Sequence, residues 1–359
     1  MTQQPLLRIE NLAVTFPATT ASTRRAHQVR AVSGVSLSIY PQQTLAVVGE
    51  SGCGKSVSAL SILQLVPTPP GRYDHGEIWW HDQDTSQPTN LMTFSDRQMQ
   101  NIRGNQIAMI FQEPMTSLNP VYTIGEQIRE AILLHQKVDR QQATTIAVES
   151  LNDVGIADPV SRLKEYPHQL SGGMRQRVMI AMALACQPRL LLADEPTTAL
   201  DVTIQAQILE LLRALQMQRN MSVMLITHDL GVVAENADVV AVMYAGRIVE
   251  YGSVVDVFAK PLHPYTRGLF ASMPVLGKEQ HRLATIRGNV PNPADLPPGC
   301  PFHPRCDDVS DDPKCGRDDP PLLEIMEQHW AACWHTSHYA GGKETRPDVA
   351  YRRPTPPGT

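Results

Sequence analysis

The order of apolar and polar residues predicts alternating strands and helices over most of the chain. Three continuous apolar runs have strand length: TLAVVG (44–49), RLLLADE (189–195) and SVMLITHD (222–229). Such runs are typical of parallel strands that are covered on both faces. Between the second and third runs, TIQAQILELLRALQMQ (203–218) repeats apolar residues at helical spacing. The first 260 residues therefore indicate an α/β layered fold.

Other stretches depart from this alternation. A polar, helix-rich stretch begins at about Asp96, and we expect a helical subdomain at about 96–175, inserted into the sheet core. The segment VVAVMYAGRIVEYG (239–252) predicts two strands around a turn at Ala245 and Gly246. After residue 260 the composition changes, because this part holds more than half of the 29 prolines and four of the six cysteines. We therefore expect domains at 1–260 and 261–359, the second of them small and loop-rich.

The composition is that of an ordinary globular protein, with 42% hydrophobic and 19% charged residues. A net charge of −5 gives no electrostatic indication of a nucleic-acid partner. No run approaches the roughly 18 apolar residues that a membrane-spanning helix needs, and the first residues lack the pattern of a signal peptide. We expect a protein of the cytosol, unless another subunit holds it at a membrane.

The segment GESGCGKS (49–56) has the spacing G-x-x-x-x-G-K-[ST] between a predicted strand and a predicted helix. In this motif, backbone N–H groups and the helix N-terminus surround the β-phosphate. Lys55 is expected to reach the β- and γ-oxygens, and the Ser56 hydroxyl to bind Mg²⁺. Cys53 is interpreted as a small loop residue and not as a nucleophile, and Cys186, in an apolar helix pattern, as a buried small side chain. The predicted nucleotide contacts in this loop are Gly49, Ser51, Gly52, Cys53, Gly54, Lys55 and Ser56.

Two carboxylates follow the second apolar run. Asp194 ends the predicted strand, at the edge where ligands gather in open α/β sheets. We expect Asp194 to hold the magnesium ion through water, and the adjacent Glu195 to act as general base on an attacking water. With the phosphate loop, these residues predict a nucleoside triphosphatase.

A second glycine motif, LSGGMRQ (170–176), predicts another anion site. Ser171 is expected to cap a helix, while Gly172 and Gly173 let backbone N–H groups face an anion. The first loop already serves the nucleotide of its own chain. We therefore predict that the second motif serves the nucleotide of another chain. In the resulting head-to-tail dimer, each γ-phosphate would contact Lys55 of one chain and Ser171 of the other.

With these motifs, the chain resembles the nucleotide-binding subunits of ATP-binding cassette (ABC) transporters over about residues 5–260. IFQEP (110–114) resembles the Q-loop of that family, with Gln112 as a sensor of the γ-phosphate and magnesium. TTALD (197–201) resembles its D-loop, with Asp201 at the dimer seam, and ITHD (226–229) resembles its H-loop, with His228 on the γ-phosphate. The resemblance also places Phe16 where the family stacks an aromatic ring on adenine. It implies a P-loop NTPase (ABC ATPase) core of the α/β class, ATP as the nucleotide, and closure of the dimer on ATP.

The C-terminal part resembles the extension found in importers of dipeptides and oligopeptides. HPYTRGLFASMP (263–274), IRGNVPNP (286–293) and GCPFHPRC (299–306) carry this resemblance, which is closest to the dipeptide permease ATP-binding subunits. It implies a peripheral ATPase at the cytoplasmic face of the inner membrane that energises peptide import. The implied partners are two transmembrane permease subunits, a second and paralogous ABC ATPase subunit and, indirectly, an extracytoplasmic substrate-binding protein. A groove around PMTSLNPVYTIGEQI (114–128) is expected to receive the permeases.

The four cysteines of this part, spaced C-x5-C-x8-C-x17-C, admit several interpretations. Disulfides are not expected in a reducing compartment, and the close cysteine pairs typical of zinc sites are absent. A [4Fe–4S] cluster takes four thiolates, and similar cysteine sets in this transporter branch have been associated with such a cluster. We predict a cluster, with zinc and unliganded thiols as alternatives. His303 and His335 are the candidate substitute ligands for zinc, but we expect both to be loop histidines without a ligand. The predicted cluster ligands are Cys300, Cys306, Cys315 and Cys333.

Other functions stay open at this point. The same branch includes nickel and other small-solute importers, and the sequence of this subunit does not contain the solute contacts. A soluble ABC ATPase of DNA repair or translation is a further alternative, although the chain has neither the long coiled-coil insertion nor the second cassette usual in those proteins. A non-hydrolysing binding module is disfavoured by Glu195, His228 and the complete second glycine motif.

Overall fold

The computed structural model describes residues 4–18, 28–82, 87–112, 117–198, 200–273, 285–308, 313–336 and 341–352. The chain divides into two compact units: the first is Met1–Thr93 with Thr227–Thr359, and the second is Phe94–Ile226. The strands are β1 (Leu7–Pro17), β2 (Gln28–Ile39), β3 (Thr44–Val48), β4 (Arg72–Trp80), β5 (Thr89–Asn90), β6 (Ile107–Ile110), β7 (Leu190–Asp194), β8 (Ser222–Thr227), β9 (Val239–Tyr244), β10 (Arg247–Ser253), β11 (Leu323–Met326) and β12 (His329–Ala331).

Several α-helices are preceded by a residue whose side chain caps the helix N-terminus. Ser171, Asp201 and Asp229 each accept a hydrogen bond from a backbone N–H group of the first turn. The 3-10 helices are Leu91–Thr93, Pro167–Gln169 and His303–Arg305. The α-helices are Lys55–Ile62, Asp96–Gln100, Ile124–His135, Arg140–Asp153, Pro159–Arg162, Gly172–Leu184, Val202–Arg219, Leu230–Asn236, Val254–Ala259 and Pro264–Ala271.

The first unit contains strands of two sheets. One sheet is antiparallel and has the order β2-β1-β4-β5. In the other, β3 pairs in parallel with β9, and β10, β12 and β11 follow as antiparallel neighbours. All five positions of β3 are buried, as expected for the apolar run before the phosphate loop. Ala245 and Gly246 turn the chain between β9 and β10 with φ angles of 48° and 81°, so the predicted hairpin is confirmed.

In the second unit, β6, β7 and β8 lie side by side as parallel strands. The helix Val202–Arg219 connects β7 to β8, which confirms the predicted strand–helix–strand order. The strand β6 lies inside the stretch that the sequence predicts to be helical. Its four residues are too few for periodicity to separate a strand from a helix. The domain boundaries at residues 175 and 260 stay predictions.

Cys186 lies outside the helix that its apolar surroundings predict. The helix that begins at Gly172 ends at Leu184, and the chain then turns at Gln187 with φ of 54°. Cys186 is only half-buried, and its thiol donates to the carbonyl oxygen of Ala131 at 3.6 Å. The prediction of a buried helical residue is therefore wrong for Cys186, because the chain leaves the helix before reaching it.

Within the first unit, strand pairing and a buried histidine–carboxylate pair join the C-terminal part to β10. The carboxylate of Glu250 on β10 is fully buried and accepts hydrogen bonds from the backbone N–H groups of Leu262 (2.7 Å) and His263 (2.9 Å). Nε2 of His329 on β12 lies 2.8 Å from the same carboxylate. Burial lowers the pKa of His263 to about 3. This ring is therefore neutral, and its Nδ1 accepts from the N–H of Tyr265 at 3.0 Å.

Candidate nucleotide site

The phosphate loop follows β3 directly. At two of its positions other backbone atoms lie so close that only glycine fits. Gly49 has φ of 152°, and a Cβ atom there would lie 2.2 Å from the carbonyl oxygen of Met243. Gly54 has φ of 103°, and a Cβ atom there would lie 2.2 Å from the carbonyl oxygen of Ala31. Any larger residue would push the backbone apart, so this loop conformation depends on glycine at both positions.

Lys55 begins the helix after the loop and folds back over the loop. Its side chain is 5% exposed, and Nζ donates to the carbonyl oxygens of Gly49 at 2.7 Å and Glu50 at 3.1 Å. Ser56 follows in the first helical turn and is half-buried. The ammonium and hydroxyl groups therefore both lie at the N-terminal end of one helix, where phosphate binds most favourably.

The remaining loop residues differ in exposure. Ser51 and Gly52 are exposed, whereas Cys53 is 1% exposed and its Sγ lies 3.8 Å from Nζ of Lys55. Burial raises the pKa of the Cys53 thiol, although the charge of Lys55 acts in the opposite direction. A buried, protonated thiol agrees with the interpretation of Cys53 as a small loop residue and not as a nucleophile.

Phe16 lies near the end of β1, opposite Val29 of β2. Its ring is half-buried, and a Cβ atom on Gly71 would lie 2.9 Å from Cε1 of the ring. Residues 19–27, which follow β1, are outside the described part of the chain. Stacking of Phe16 on adenine stays a prediction.

In the second unit, the structure brings Gln112 and Glu195 together. Asp194 is the last residue of β7 and is 4% exposed, and Glu195 follows with φ of 46°. Nε2 of Gln112 donates to Oε2 of Glu195 at 3.0 Å. The hydroxyl of Thr198 donates to the same oxygen at 2.9 Å. Two donors therefore hold the Glu195 carboxylate in one orientation.

Thr198 is a candidate site residue that sequence patterns do not single out. The one available signal is a hydroxyl residue three positions after Glu195. The N–H of Thr198 donates to the carbonyl oxygen of Glu195 at 3.1 Å, which closes a turn between them. A threonine at such a turn usually serves only the local backbone, so spacing alone does not indicate a contact with the candidate general base.

The second glycine motif lies at an exposed helix N-terminus in the second unit. Ser171 caps this helix by accepting from the N–H of Met174 at 3.3 Å, as predicted. Ser171 and Gly172 are exposed. A Cβ atom on Gly173 would lie 3.1 Å from the side chain of Ile204, so this position also favours the absence of a side chain.

Asp201 and His228 both occupy exposed positions next to helix starts. Asp201 accepts a hydrogen bond from the N–H of Ile204 at 2.9 Å and caps the long helix of the second unit. Val202 beside it is 83% exposed. In the first unit, His228 follows β8 and precedes Asp229, the cap of the next helix. The contacts of Asp201 with a dimer seam and of His228 with a γ-phosphate stay predictions.

The four C-terminal cysteines line one small pocket in the first unit, together with three histidines. Burial raises the pKa of Cys300 to about 12, and the three neighbouring thiols act in the same direction. The pocket therefore disfavours thiolates that no cation neutralises. Among the described residues, the side chains in their present positions form no group of three or more Cys, His, Asp or Glu residues that could hold a metal ion. The pocket residues are Cys300, Cys306, Cys315 and Cys333 with His263, His303 and His335.

An apolar groove of about 510 Å³ lies in the second unit. Its lining includes Met109, Phe111, His135, Met179 and Met182, and Phe111 is 44% exposed. Residues 113–116 and 199 belong to the predicted Q-loop, docking and D-loop segments, and they lie outside the residues that the structure describes.

Comparison with known proteins gives the family. The family described as ABC transporter matches residues 32–198, and the family described as oligopeptide/dipeptide transporter, C-terminal region, matches residues 249–315. The chain is 52% identical to the oligopeptide transport ATP-binding protein AppD of Bacillus subtilis, over 92% of this chain and 96% of that protein. It is 48% identical to the dipeptide transport ATP-binding protein DppD of Bacillus subtilis, over 92% and 95%. Among solved structures, the ATP-binding cassette MJ0796, dimeric in a post-hydrolysis state with ADP and Pi, is similar at 25% identity with a TM-score of 0.58, covering 69% of this chain and 98% of that one.

A buried strand, a glycine loop and a helix, with a further strand that ends in two carboxylates, define the class of P-loop nucleoside triphosphatases. Within that class, the chain belongs to the ATPase subunits of ABC transporters that carry the oligopeptide/dipeptide transporter C-terminal region. The predicted family, fold and enzyme class are thereby confirmed. In the described residues, no helix combines the length and the apolar character needed to cross a bilayer.

Proposed function

We propose that this protein binds and hydrolyses ATP to energise the import of dipeptides or oligopeptides across the cytoplasmic membrane. The observation that carries the proposal is the match of residues 249–315 to the peptide-transporter C-terminal region, in a chain that also has a complete phosphate loop. Relatives at 52% and 48% identity carry the names of oligopeptide and dipeptide transport proteins. We assign residues 1–260 to the nucleotide-binding domain, with a helical subdomain at about 96–175, and residues 261–359 to the C-terminal extension.

The proposed nucleotide contacts follow from the donors that the loops offer. Lys55 neutralises the β- and γ-phosphate oxygens, and the loop N–H groups surround the β-phosphate. Oxygen atoms of Ser56, Gln112 and, through water, Asp194 would hold Mg²⁺, which prefers hard oxygen ligands. The ion would supply positive charge beside the phosphates.

The proposed reaction is the in-line attack of water on the γ-phosphate. Glu195 accepts the proton of this water, and the hydrogen bonds from Gln112 and Thr198 aim its carboxylate. His228 contacts the γ-phosphate and holds the water in line. Because Gln112 contacts the base directly, a change in its position would change the orientation of Glu195.

The second glycine motif supports a site shared between two chains. Ser171 and Gly172 are exposed, so the N–H groups of this helix start are accessible to a ligand outside the chain. The similar cassette MJ0796 is described as dimeric. We propose a head-to-tail dimer with a paralogous ATPase subunit, in which each ATP contacts both chains. ATP then favours the closed dimer by differential affinity, and hydrolysis removes that preference.

The apolar groove of the second unit supports docking of the membrane partners. Met109, Phe111 and Met179 offer the adaptable apolar surface that an inserted helix needs. We propose that permease cytoplasmic helices dock here, in an assembly with two permease subunits, and that a substrate-binding protein acts on the other side of the membrane. This assembly would hold the chain as a peripheral subunit at the cytoplasmic face.

Uptake of labelled dipeptides tests the proposed function. The chain is expressed with its permeases and binding protein in cells that lack their own peptide importers. We expect uptake that falls to background with Lys55→Ala, because the phosphate charge loses its counter-charge, and that survives with Lys137→Ala at an exposed position. Nickel uptake without peptide uptake would support the small-solute alternative. Absence of the protein from the membrane fraction would support a soluble ATPase. Either result would contradict the proposal.

We also propose that the four cysteines hold a [4Fe–4S] cluster, with zinc as the alternative metal. Their thiols line one pocket, and the raised pKa of Cys300 indicates that a cation is needed to stabilise thiolates there. Four thiolates are the donor set of such clusters. The side chains as they stand do not form a metal site, so the proposal rests on the donor set. The role proposed is structural, since a proline-rich segment buries little surface of its own.

Anaerobic purification followed by metal analysis tests this assignment. We expect brown protein with about four iron atoms per chain. Cys306→Ser is expected to remove the colour and the iron, because one of the four proposed cluster ligands is lost. It is also expected to increase hydrogen exchange over residues 300–333. Cys186→Ser, outside the pocket, is the matched control. Stoichiometric zinc without iron would exclude the cluster, and absence of both metals would favour unliganded thiols.

A further inference from the structure

We propose that Arg305 is a positioning residue that ties the cysteine-bearing segment 300–333 to the phosphate loop through Glu50, so that the fold of this segment sets the affinity of the loop for ATP. This inference rests on the proposed nucleotide-binding function and adds a route of control to it. Glu50 occupies a variable position of the phosphate-loop motif, so the motif itself gives this residue no role.

Arg305 and Glu50 form a two-point ion pair across 255 positions of sequence. Nη1 of Arg305 lies 2.6 Å from Oε2 of Glu50, and Nη2 lies 3.0 Å from Oε1. The side chain of Arg305 is 5% exposed and that of Glu50 is 27% exposed. Paired hydrogen bonds between a guanidinium and a carboxylate fix orientation as well as distance. Arg305 therefore fixes the orientation of the Glu50 side chain.

Glu50 is held at three points, and one of them is the phosphate-binding lysine. Its backbone N–H donates to the hydroxyl of Tyr265 at 2.9 Å, and Tyr265 is fully buried in the helix after residue 263. Its carbonyl oxygen accepts from Nζ of Lys55 at 3.1 Å. Its side chain binds Arg305. A displacement of Glu50 would therefore move an atom that directly positions Lys55.

Arg305 is in turn placed by a short turn that lies between two of the cysteines. The N–H of His303 donates to the carbonyl oxygen of Cys300 at 3.0 Å, and the N–H of Cys306 to that of His303 at 3.3 Å. Arg305 forms part of this 3-10 turn, and its guanidinium lies 5.9 Å from the ring centre of Phe302. Whatever orders the turn at 300–306 also places the guanidinium on Glu50.

A purely structural role for Arg305 and this coupling role predict different results. If the ion pair only stabilises the fold, its loss lowers the melting temperature and leaves nucleotide affinity unchanged. If it positions the loop, its loss weakens nucleotide binding in protein that is still folded. Loss of order in the cysteine segment would then weaken binding only while Arg305 is present to transmit it.

The test measures the dissociation constant of a fluorescent, non-hydrolysable ATP analogue with Mg²⁺ on the full chain, with circular dichroism as a check of folding. Arg305→Gln and Glu50→Gln are each expected to weaken binding about tenfold, within the usual range of coupling between sites. The double variant is expected to be no weaker than either single variant, since both remove one interaction. Arg317→Gln, in the same segment but exposed, is the matched control and is expected to bind normally.

Cys306→Ser supplies the second half of the test. It is expected to weaken binding about tenfold in the native background and to have little further effect in the Arg305→Gln background. If Arg305→Gln does not fold, Tyr265→Phe removes only one hydroxyl and is expected to weaken binding several-fold. Unchanged affinity in the Glu50 and Arg305 variants would overturn the inference. So would an equal effect of Cys306→Ser in both backgrounds. A native chain that binds no ATP analogue would instead contradict the proposed function.

Discussion

Replacing Glu195 with glutamine is expected to lower the steady-state rate of ATP hydrolysis by about 10²- to 10⁴-fold, the usual contribution of a general base. Glutamine keeps the size of the side chain and can still meet the donors Gln112 and Thr198 through its amide oxygen. It cannot take a proton from water at neutral pH. ATP binding depends on the phosphate loop and is therefore expected to persist, and the dimer is expected to stay closed on bound ATP.

The measurement pairs a phosphate-release assay with size-exclusion chromatography in the presence of MgATP. Glu210→Gln makes the same chemical change at an exposed position on the helix Val202–Arg219 and is expected to hydrolyse ATP at the native rate. Rapid multiple turnover by the Glu195 variant would show that another group acts as the base.

Ser171→Arg is expected to abolish ATP-dependent dimer formation and turnover while sparing nucleotide binding by the single chain. Ser171 is exposed at the start of a helix. A long cationic side chain there would fill the space that the partner's γ-phosphate needs, and the lost cap would weaken the helix start by about 1 kcal/mol. Because the phosphate loop lies elsewhere in the chain, its affinity for ATP is expected to stay within twofold of the native value.

The variant Thr123→Arg is the control for the loss of a helix N-cap. Thr123 caps the helix Ile124–His135 in the same unit, so this variant introduces the same side chain and removes a comparable cap. It is expected to form the ATP-dependent dimer when no permease is present. A specific role for the second glycine motif would be contradicted if the Ser171 variant still formed the dimer. It would also be contradicted if both variants failed to form the dimer. Light scattering with and without MgATP gives the readout.

The phosphate loop and three buried strands could be predicted because local sequence determines them. Gly49 and Gly54 need positive φ angles and close backbone contacts that only glycine allows, so they mark the loop directly. Buried parallel strands read as continuous apolar runs, which identified β3, β7 and β8. The four residues of β6 were too short a run to be separated from the helices around them.

Contacts between distant residues could not be predicted from sequence patterns. The pair formed by Glu50 and Arg305 joins positions 255 apart, and the sequence motifs in which they lie assign no contact between them. The same holds for Glu250 with His329, 79 positions apart, although both are fully buried. A single sequence carries no signal for such pairs, since a glutamate or an arginine alone is most often a surface residue.

The most direct test of a nucleotide site shared between two chains is the turnover per chain as a function of protein concentration. A shared site predicts turnover that falls toward zero as dilution separates the chains and that returns when the partner ATPase subunit is added. Full and non-cooperative turnover per chain, in a preparation that light scattering shows to be monomeric, would contradict it.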